Sequence, residues 1–509
     1  MLDLQPATYE AFKREAGQGN VVPVVRSVLA DLQTPVGAFM RLAATKPYSF
    51  LLESVEGGER TARYSFLGVD PEMIVRGCGP LTFVERSGKR ETLQIRAVDF
   101  VREYFSGRVL ARRAGLAPFA GGAAGYLAYD AARWFEPVLE KVDEGALPLE
   151  TMPISLPTDA LWMFFRTIIA FDRVRQQMEI VSIVLTEEAE GSRTRLRKLY
   201  DDAVSRTAEI EAELLKGIPN ASAGNLSKAE KVKPLESNWT RRGFEDAVRK
   251  IKDYIAAGDC YQAVLSQRFS TKFNGDPISI YRALRSINPS PYMFLFRLGN
   301  ETIIGSSPEM LVRCHGQRLD YRPIAGTRKR GATETEDWML GEDLKTDDKE
   351  VAEHMMLVDL GRNDLGRVAD YGSVTVEELM KVERYSHVQH LVTSLRARLR
   401  DGLDRFDALA SCFPAGTVTG APKIRAMEII SELEPDRRGI YSGAVMYLDY
   451  ADNLDSCIAI RTIELRNGTA SVQAGAGIVA DSVPEHEYAE SVNKARGLFR
   501  AIEMAEKGL

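Results

Sequence analysis

The chain has 509 residues, of which 45% are hydrophobic and 27% charged, and its formal net charge at pH 7 is −6. This composition is typical of a globular protein, and the length favours two domains over one ordinary core. The acidic balance argues against a nucleic-acid-binding protein, although it is compatible with a local cationic site for a small anion.

Targeting signals and membrane spans are not expected. The first residues lack a basic start followed by an apolar stretch, and no run of about 18 apolar residues occurs. The five cysteines lie far apart and form no CxxC pair. We therefore expect reduced, structural thiols and a cytoplasmic location.

The N-terminal half predicts strands followed by a helix and a linker. Two apolar, β-branched runs in 161–185 are separated by the polar segment 172–177, which is a hairpin pattern. Residues 199–216 have helical character, and 218–237 is polar and contains prolines, glycines and serines. The predicted organisation is an N-terminal domain at 1–198, a helix and linker at 199–238, and a C-terminal domain at 239–509.

The C-terminal half mixes helices with strands. Phe244, Val248, Ile251 and Ile255 are spaced as on one face of a helix. Strand-like runs then recur at 292–298, 302–305, 310–314, 444–450, 457–465 and 470–473. The pattern predicts an α+β protein with large, mainly antiparallel β-sheets packed with helices.

Two helical segments carry closely spaced charges. Their members at spacings of three and four are Glu350, Glu353 and His354 in one segment, and Glu487, Glu490 and Lys494 in the other. Such spacings bring side chains to one face of a helix. A solvated surface tolerates the like-charge repulsion of about 0.2–0.5 kcal/mol, so an inert acidic face is the simpler interpretation.

Four carboxylates brought together would instead suit a hard divalent cation. Mg²⁺ fits best because it takes one or two carboxylates together with water and substrate oxygens. Zinc fits less well, since there is no HExxH and His354 lacks the second histidine of an HxxEH site.

Seven further segments occur in a recognisable order. They are GSSPEML (305–311), PIAGTR (323–328), EH (353–354), DLGRNDLGR (359–367), FPAGTVTGAPK (413–423), YSG (441–443) and GAG (475–477). Together they resemble the chorismate-utilising enzymes, which are the anthranilate, aminodeoxychorismate, isochorismate and salicylate synthases. Through LLES (51–54) and GGAAGY (121–126), the N-terminal half is similar, less densely, to the large subunit of anthranilate synthases.

The resemblance implies roles for particular residues. Glu309 corresponds to the general acid that protonates the departing 4-hydroxyl of chorismate, a task that requires a raised pKa. His390 corresponds to a histidine implicated in the later loss of pyruvate. Glu353 and Glu490 match the Mg²⁺ ligands, with Glu350 and Glu487 nearby. Without the resemblance, Glu309 reads as a loop carboxylate and His390 as a structural histidine.

Nine further residues match positions that contact the substrate. They are Gly326, Thr327, Thr419, Tyr441, Arg461, Gly475, Ala476, Gly477 and Lys494. The glycines at 326 and 475–477 are interpreted as small-residue turns that let the backbone approach a ligand closely. Arg461 suits bidentate pairing with a carboxylate, although a lone arginine is more often an ordinary surface residue.

Two positions discriminate among the chorismate-utilising enzymes. Where Gln262 stands, the isochorismate and salicylate enzymes place a lysine that activates water. Where Ala325 stands, aminodeoxychorismate synthases usually have a nucleophilic lysine. The resemblance therefore implies direct amination by ammonia and then loss of pyruvate to give anthranilate. An aminodeoxychorismate synthase lacking the lysine and a catalytically silent tryptophan-binding protein are the alternatives.

The ammonia is expected to come from a separate glutaminase subunit. A glutaminase needs a cysteine nucleophile with a histidine partner, and Cys78, in RGCGP, is followed by no histidine before His315. The chain is thus expected to work in a hetero-oligomer.

Tryptophan is expected to inhibit the chain at an N-terminal regulatory part. LLES and NPSPYM (288–293) resemble the inhibitor-binding segments of tryptophan-sensitive anthranilate synthases, which implicates Glu53, Ser54, Pro291, Tyr292 and Met293. The Glu53 carboxylate suits an ammonium group, and the 291–293 segment offers an apolar, aromatic surface to an indole ring. Taken alone, these segments read as a strand end and a turn.

Overall fold

A computed structural model describes residues 4–55, 63–111, 113, 115–139, 158–216, 236–385 and 388–508. Most of the predicted linker at 218–237 lies outside these ranges. The domain boundaries therefore stay predictions.

The structure describes twelve strands in the N-terminal half. They are β1 (Leu4–Gln5), β2 (Val21–Leu29), β3 (Tyr48–Glu53), β4 (Tyr64–Val69), β5 (Met73–Cys78), β6 (Leu81–Arg86), β7 (Lys89–Leu93), β8 (Gly122–Leu127), β9 (Ala160–Phe165), β10 (Thr167–Asp172), β11 (Gln177–Leu185) and β12 (Glu236–Ser237). The predicted hairpin is confirmed, since β10 pairs with β11 across the turn that follows Asp172.

The described strands of the C-terminal half carry most of the motifs. They are β13 (Gln262–Lys272), β14 (Tyr292–Leu298), β15 (Glu301–Ser307), β16 (Met310–His315), β17 (Arg318–Tyr321), β18 (Ile324–Lys329), β19 (Thr375–Arg384), β20 (Val388–Arg398), β21 (Gly420–Ala421), β22 (Ala444–Asp449), β23 (Asn453–Ile458), β24 (Thr462–Arg466) and β25 (Thr469–Ile478).

These strands form two sheets among the described residues. The first follows the order β1-β2-β11-β10-β4-β3-β14-β15-β24-β25-β13-β12, with β21 on β13. The second follows β18-β20-β17-β16-β23-β22-β8-β9-β5-β6-β7, with β19 on β20. Each sheet therefore joins strands from both halves, at β3–β14 and at β8–β22, and these junctions are antiparallel. The α+β prediction with large antiparallel sheets is confirmed.

Helices cover the sheets on their outer sides. The described α-helices are Tyr9–Glu15, Pro35–Leu42, Ala97–Phe105, Arg193–Leu215, Arg241–Ala256, Pro277–Ile287, Glu334–Thr346, Asp348–Gly366, Arg405–Cys412, Lys423–Leu433 and Pro484–Glu506. Short 3₁₀ turns occur at Tyr129–Trp134, Pro137–Leu139, Thr186–Ala189 and Gly416–Val418. Within the ranges listed above, no helix is both long and apolar enough to span a membrane.

An aromatic layer lies between the two sheets. Phe50 and Phe294 of the first sheet and Phe165 and Tyr447 of the second belong to one buried cluster. Because β3 and β14 have buried residues on both of their faces, their sequences run apolar without alternation. No disulfide bond joins any of the five cysteines, all of which lie within the described ranges.

Two sequence interpretations need correction. Gly475, Ala476 and Gly477 are not a turn but lie inside β25, where they pair with Ser266, Leu265 and Val264 of β13. The run 457–465 is not one strand, because Arg461 adopts a left-handed φ of 50° and separates β23 from β24. A short stretch of small residues is compatible with a turn or a strand, and an apolar run is compatible with one strand or two. In both segments, pairing with strands distant in the sequence determines the conformation.

Candidate active site

Glu309 lies in the connection between β15 and β16, with 8% of its surface exposed. Its backbone is held on both sides: the N–H donates to Ser307 Oγ (3.3 Å), and the carbonyl accepts from the N–H of Ile458 (3.0 Å). Burial raises the pKa of the Glu309 carboxyl to about 8, against smaller opposing effects of Thr417 and Arg461. A carboxyl with this pKa carries a proton at pH 7 and can donate it.

Thr417 is a residue that the sequence interpretation missed. Its hydroxyl is buried near the Glu309 carboxyl, whose pKa it lowers, and it has no partner within hydrogen-bond distance among the described residues. The hydroxyl of the predicted contact Thr419 instead donates to the carbonyl of Ala415 (3.0 Å), within its own loop. Both threonines belong to the FPAGTVTGAPK segment, so the sequence alone does not indicate which of the two hydroxyls lies near Glu309.

His390 is fixed in one tautomer. Its Nδ1 lies 2.8 Å from the carbonyl oxygen of Gly326, which can only accept, so Nδ1 carries the hydrogen and Nε2 is free to accept a proton. Burial lowers the pKa of His390, and the nearby Arg461 lowers it further. The imidazole is therefore neutral near pH 7.

Gly326 occupies a bulge rather than the predicted turn. The pairing of β18 with β20 shifts register between Ala325 and Thr327, and Gly326 has φ of 67°. A Cβ at this position would lie 3.0 Å from Oε2 of Glu350. Glycine is thus required both by the backbone conformation and by the approach of a carboxylate.

Arg461 lies near both candidate proton-transfer groups. Its guanidinium lowers the pKa of Glu309 and that of His390, and burial lowers its own pKa. Its Nη1 donates to Oδ1 of Asn288 (3.3 Å), and its carbonyl accepts from the N–H of Ser306. The structure thus brings an acid, a neutral imidazole and a cation together from three separate segments.

The carboxylates of the two acidic helices lie close enough to influence one another, which their spacing in the sequence could not show. Burial raises the pKa of Glu353, and the charges of Glu350 and Glu490 raise it further. Burial likewise raises the pKa of Glu487, with Glu490 contributing. Lys494 Nζ bridges this group to β25, since it pairs with Oε1 of Glu490 (2.8 Å) and donates to the carbonyl of Gly475 (3.0 Å).

The helix Asp348–Gly366 has a capped N-terminus. Asp347 precedes it, and its side chain accepts from the N–H groups of Lys349 and Glu350. The Glu350 carboxylate also pairs with Arg328 (3.1 Å), which keeps it beside Gly326. The acidic group therefore adjoins the strand that anchors His390.

The carboxylates of the two acidic helices suit Mg²⁺ if other ligands complete its coordination. Carboxylate oxygens are the hard ligands that the ion prefers. Within the described ranges, however, no three Asp, Glu, His or Cys side chains come close enough to hold a metal by themselves. Glu353 and Glu490 could therefore bind Mg²⁺ if substrate oxygens and water completed the coordination of the ion.

Gln262 and the Gly-Ala-Gly segment form a second wall. Gln262 opens β13 and is buried, with its amide nitrogen 2.5 Å from where a Cβ on Gly477 would stand. Any side chain at 477 would therefore displace the Gln262 amide. Tyr441, also buried, lies with its ring 5.5 Å from the guanidinium carbon of Arg438.

A separate cavity of about 430 Å³ lies between the sheets at the β3–β14 junction. Its walls include all five residues predicted to bind the inhibitor, which are Glu53, Ser54, Pro291, Tyr292 and Met293. The Ser54 hydroxyl is buried without a hydrogen-bond partner among the described residues. The cavity has the size of a small-molecule site and joins the two halves of the chain.

One feature of this cavity differs from expectation. The Glu53 carboxylate accepts from Tyr281 (2.6 Å) and from Arg173 (3.1 Å), and it also pairs with Arg285 (3.2 Å). Two cations therefore already neutralise it. Arg173 and Arg285 are distant from LLES in the sequence, so no local sequence pattern predicts that they pair with Glu53.

Comparison with known proteins identifies relatives over nearly the whole chain. Residues 48–500 match the family model described as chorismate binding enzyme. Anthranilate synthase component 1 of Acetivibrio thermocellus is 45% identical, with 98% of each chain covered. The protein of the same name from Synechocystis sp. is 44% identical, with 97% of this chain and 98% of that one covered. The crystal structure of anthranilate synthase component I from Streptococcus pneumoniae is 34% identical, has a TM-score of 0.73, and covers 92% of this chain and 98% of that one.

Proposed function

This chain belongs to the chorismate-binding enzyme family, as a homologue of anthranilate synthase component 1, and we propose that it aminates chorismate with ammonia and then eliminates pyruvate. That the chain is an enzyme acting on chorismate follows from the family. Its product is anthranilate in this proposal. The observation that carries it is Glu309, a buried carboxyl whose raised pKa keeps it protonated at neutral pH and which lies near Arg461, a cation that also lowers the pKa of His390.

Binding of chorismate is proposed to use charge on two sides. The substrate carries two carboxylates, and Arg461 and Lys494 are the cations placed to meet them. Mg²⁺, held by Glu353 and Glu490, would neutralise a substrate carboxylate and hold it in place. The small residues of β25 let the substrate lie against the backbone.

Proton transfer is assigned to Glu309 in the amination step. As ammonia forms a bond to C2, the bond to the 4-hydroxyl breaks, and Glu309 supplies the proton with which that group leaves as water. The adjacent Thr417 hydroxyl and Arg461 then stabilise the resulting carboxylate. A buried site without these neighbours would hold the proton too tightly.

His390 is assigned to the elimination step. Its Nδ1–H is committed to Gly326, so the neutral ring offers Nε2 as acceptor for the ring proton lost as pyruvate departs. Gln262 fits an amination because its neutral amide cannot activate water as a base. These assignments distinguish the chain from hydroxylating relatives.

Ammonia is proposed to come from a second subunit. The relatives are named component 1, which implies a second component. A complex of this kind, in the cytoplasm, would supply the glutaminase that the sequence pattern around Cys78 does not predict for this chain. Free ammonium salts should replace the partner in the test tube.

Tryptophan is proposed as the inhibitor that occupies the second cavity. Support comes from the meeting of LLES with the 291–293 segment at its wall and from the unpaired Ser54 hydroxyl. Because Glu53 is already neutralised by two arginines, its ammonium-binding role in this proposal is shared with the Ser54 hydroxyl.

A product assay tests the catalytic proposal. The purified chain, chorismate, MgCl₂ and ammonium sulfate should give the fluorescence of anthranilate, confirmed by chromatography. Accumulation of 4-aminodeoxychorismate without anthranilate would instead identify an aminodeoxychorismate synthase. Absence of both products, with chorismate consumed or intact, would reject amination altogether.

A further inference from the structure

Arg438 lies outside every motif discussed so far, yet it is among the most completely hydrogen-bonded side chains of the described residues. It is 3% exposed and follows the helix Lys423–Leu433, in the segment that leads to Tyr441. A guanidinium has five N–H groups in a planar fork. The neighbours of Arg438 supply an acceptor for each of the five.

The acceptors belong to Glu434, four residues earlier in the chain, and to three separate segments. Nε donates to Oε2 of Glu434 (2.8 Å), and Nη2 donates to Oε1 of the same carboxylate (2.7 Å). Nη2 also donates to the carbonyl of Val264 in β13 (2.7 Å). Nη1 donates to the carbonyl of Val418 (2.8 Å) and to Oγ of Ser442 (3.3 Å).

Each of these segments carries a residue of the proposed active site. Val264 follows Gln262 in β13, Val418 stands between Thr417 and Thr419, and Ser442 follows Tyr441. The ring of Tyr441 lies 5.5 Å from the guanidinium carbon, and that of Tyr129 lies 4.7 Å from it on a cation–π contact.

The carboxylate partner extends the connection. Besides Arg438, Glu434 accepts from the N–H and the hydroxyl of Ser266 (both 2.8 Å), which lies two residues beyond Val264 in β13. Val264 also donates its N–H to the carbonyl of Thr419 (2.8 Å). The strand β13 and the 416–419 loop are therefore joined by a direct hydrogen bond and through the Arg438–Glu434 ion pair.

We propose that the buried Arg438–Glu434 pair is a positioning device that holds β13, the 416–419 loop and the Tyr441 segment in register around the substrate. It touches no reacting atom and acts through Gln262, Thr417 and Tyr441. The expected effect of the pair on catalysis rests on the proposed function. Its effect on the placement of the three segments is independent of that function. Lysine cannot replace the arginine, because a single ammonium lacks the planar fork and two of the five donors.

The anchors for the substrate charges lie elsewhere, which predicts how kinetics will respond. Arg461, Lys494 and the acidic helices do not depend on Arg438 for any contact among the described residues. A loosened loop should therefore leave chorismate binding largely intact while misplacing Thr417 beside Glu309. Misplacement on the order of 1 Å costs about 100-fold in rate, so kcat should fall more than KM rises.

A second buried pair provides the matched control. Arg405 is also 3% exposed, lies 3.8 Å from the carboxylate of Asp449, and donates to the carbonyls of Asp449 and Asn453. It contacts none of the three active-site segments. Arg405→Lys should lower the melting temperature and leave kcat near the wild-type value.

The experiment compares Arg438→Lys, Glu434→Gln and Arg405→Lys in the full-length chain. We expect both variants of the proposed pair to lose about 10- to 100-fold in kcat at a temperature where all three are folded, with KM for chorismate changed much less. Hydrogen exchange should speed up in peptides covering 262–266 and 416–421, whereas in Arg405→Lys it should not.

Several results would overturn the inference. They are a kcat for Arg438→Lys no lower than that of Arg405→Lys, equal loss in kcat and rise in KM, or unchanged exchange in both peptides. If Arg438→Lys does not fold, Glu434→Gln carries the same comparison. If the wild type makes no anthranilate, the proposed function fails, while the exchange comparison still decides whether the pair holds these segments together.

Discussion

Glu53 and Met293 stand directly opposite each other on adjacent antiparallel strands, β3 and β14. They belong to different halves of the chain, and both line the cavity at the strand junction. A ligand in this cavity touches both halves at once. It can therefore favour one relative arrangement of them, which is the physical requirement for inhibition at a distance.

Tryptophan should inhibit the wild type, and Ser54→Phe and Met293→Thr should both reduce its effect. Phenylalanine at 54 fills cavity volume, and threonine at 293 removes apolar surface from the wall. A typical coupling is about 1–3 kcal/mol, and by reciprocity chorismate should weaken tryptophan binding by the same factor. Activity is titrated with tryptophan, and binding is measured with and without chorismate. Insensitivity of the wild type at millimolar tryptophan would remove this assignment and leave the catalytic one intact.

Alanine at Glu353 or Glu490 should abolish anthranilate formation while the chain stays folded. Both side chains are at least partly exposed, so their removal affects the metal site and leaves the core intact. The measurement is turnover at saturating MgCl₂, with circular dichroism as a check of folding. Glu506→Ala, at the exposed far end of the same helix as Glu490, is the control. Full wild-type turnover in excess EDTA would contradict a metal requirement.

The ammonia-dependent rate should fall as the pH rises through about 8. Glu309 must be protonated to act as the acid, and burial sets its pKa at about 8. The free ammonia concentration has to be held constant, because it rises with pH. Thr417→Val removes a group that lowers this pKa, so the alkaline limb should move to higher pH. An unchanged limb in Thr417→Val, or a limb that persists in Glu309→Gln at its residual rate, would assign the titration to another group.

The same carboxyl links folding to pH. Its folded pKa lies above the value near 4.5 of an unfolded glutamate, so its contribution to stability is fully present below that value. The contribution is lost as the pH rises through about 8. Glu309→Gln should therefore flatten the fall in melting temperature between pH 5 and pH 8, roughly the window bounded by the two pKa values. Parallel melting curves for wild type and variant across that window would refute it.

The purified chain should use ammonium salts and should not hydrolyse glutamine by itself. Its five thiols are structural, and burial raises the pKa of Cys260, Cys314, Cys412 and Cys457, which makes each a poor nucleophile. Glutamate release from glutamine is measured with the chain alone and with added glutaminase component. Gln262→Lys should impair amination, since it buries a charge against Gly477. Glutaminase activity of the chain alone would end the partner argument.

Much of the local structure and of the chemistry was decided by the sequence alone. The helix at 241–256 was predicted from apolar spacing, and β14 was predicted from an apolar run with the bounds that the structure shows. The resemblance of the motifs to chorismate-utilising enzymes selected Glu309, His390 and the acidic helices as candidate site residues. These signals depend on neighbours a few residues away.

Only the tertiary structure decided how the segments meet. The placement of Gly475–Gly477 in a strand, the bulge at Gly326, the neutralisation of Glu53 by Arg173 and Arg285, and the hydrogen bonds of Arg438 to Val264 and Val418 all depend on partners far away in the chain. The same short sequence is compatible with a turn or with a strand until another strand pairs with it. Burial, which raises the pKa of Glu309, likewise exists only once both sheets have closed around it.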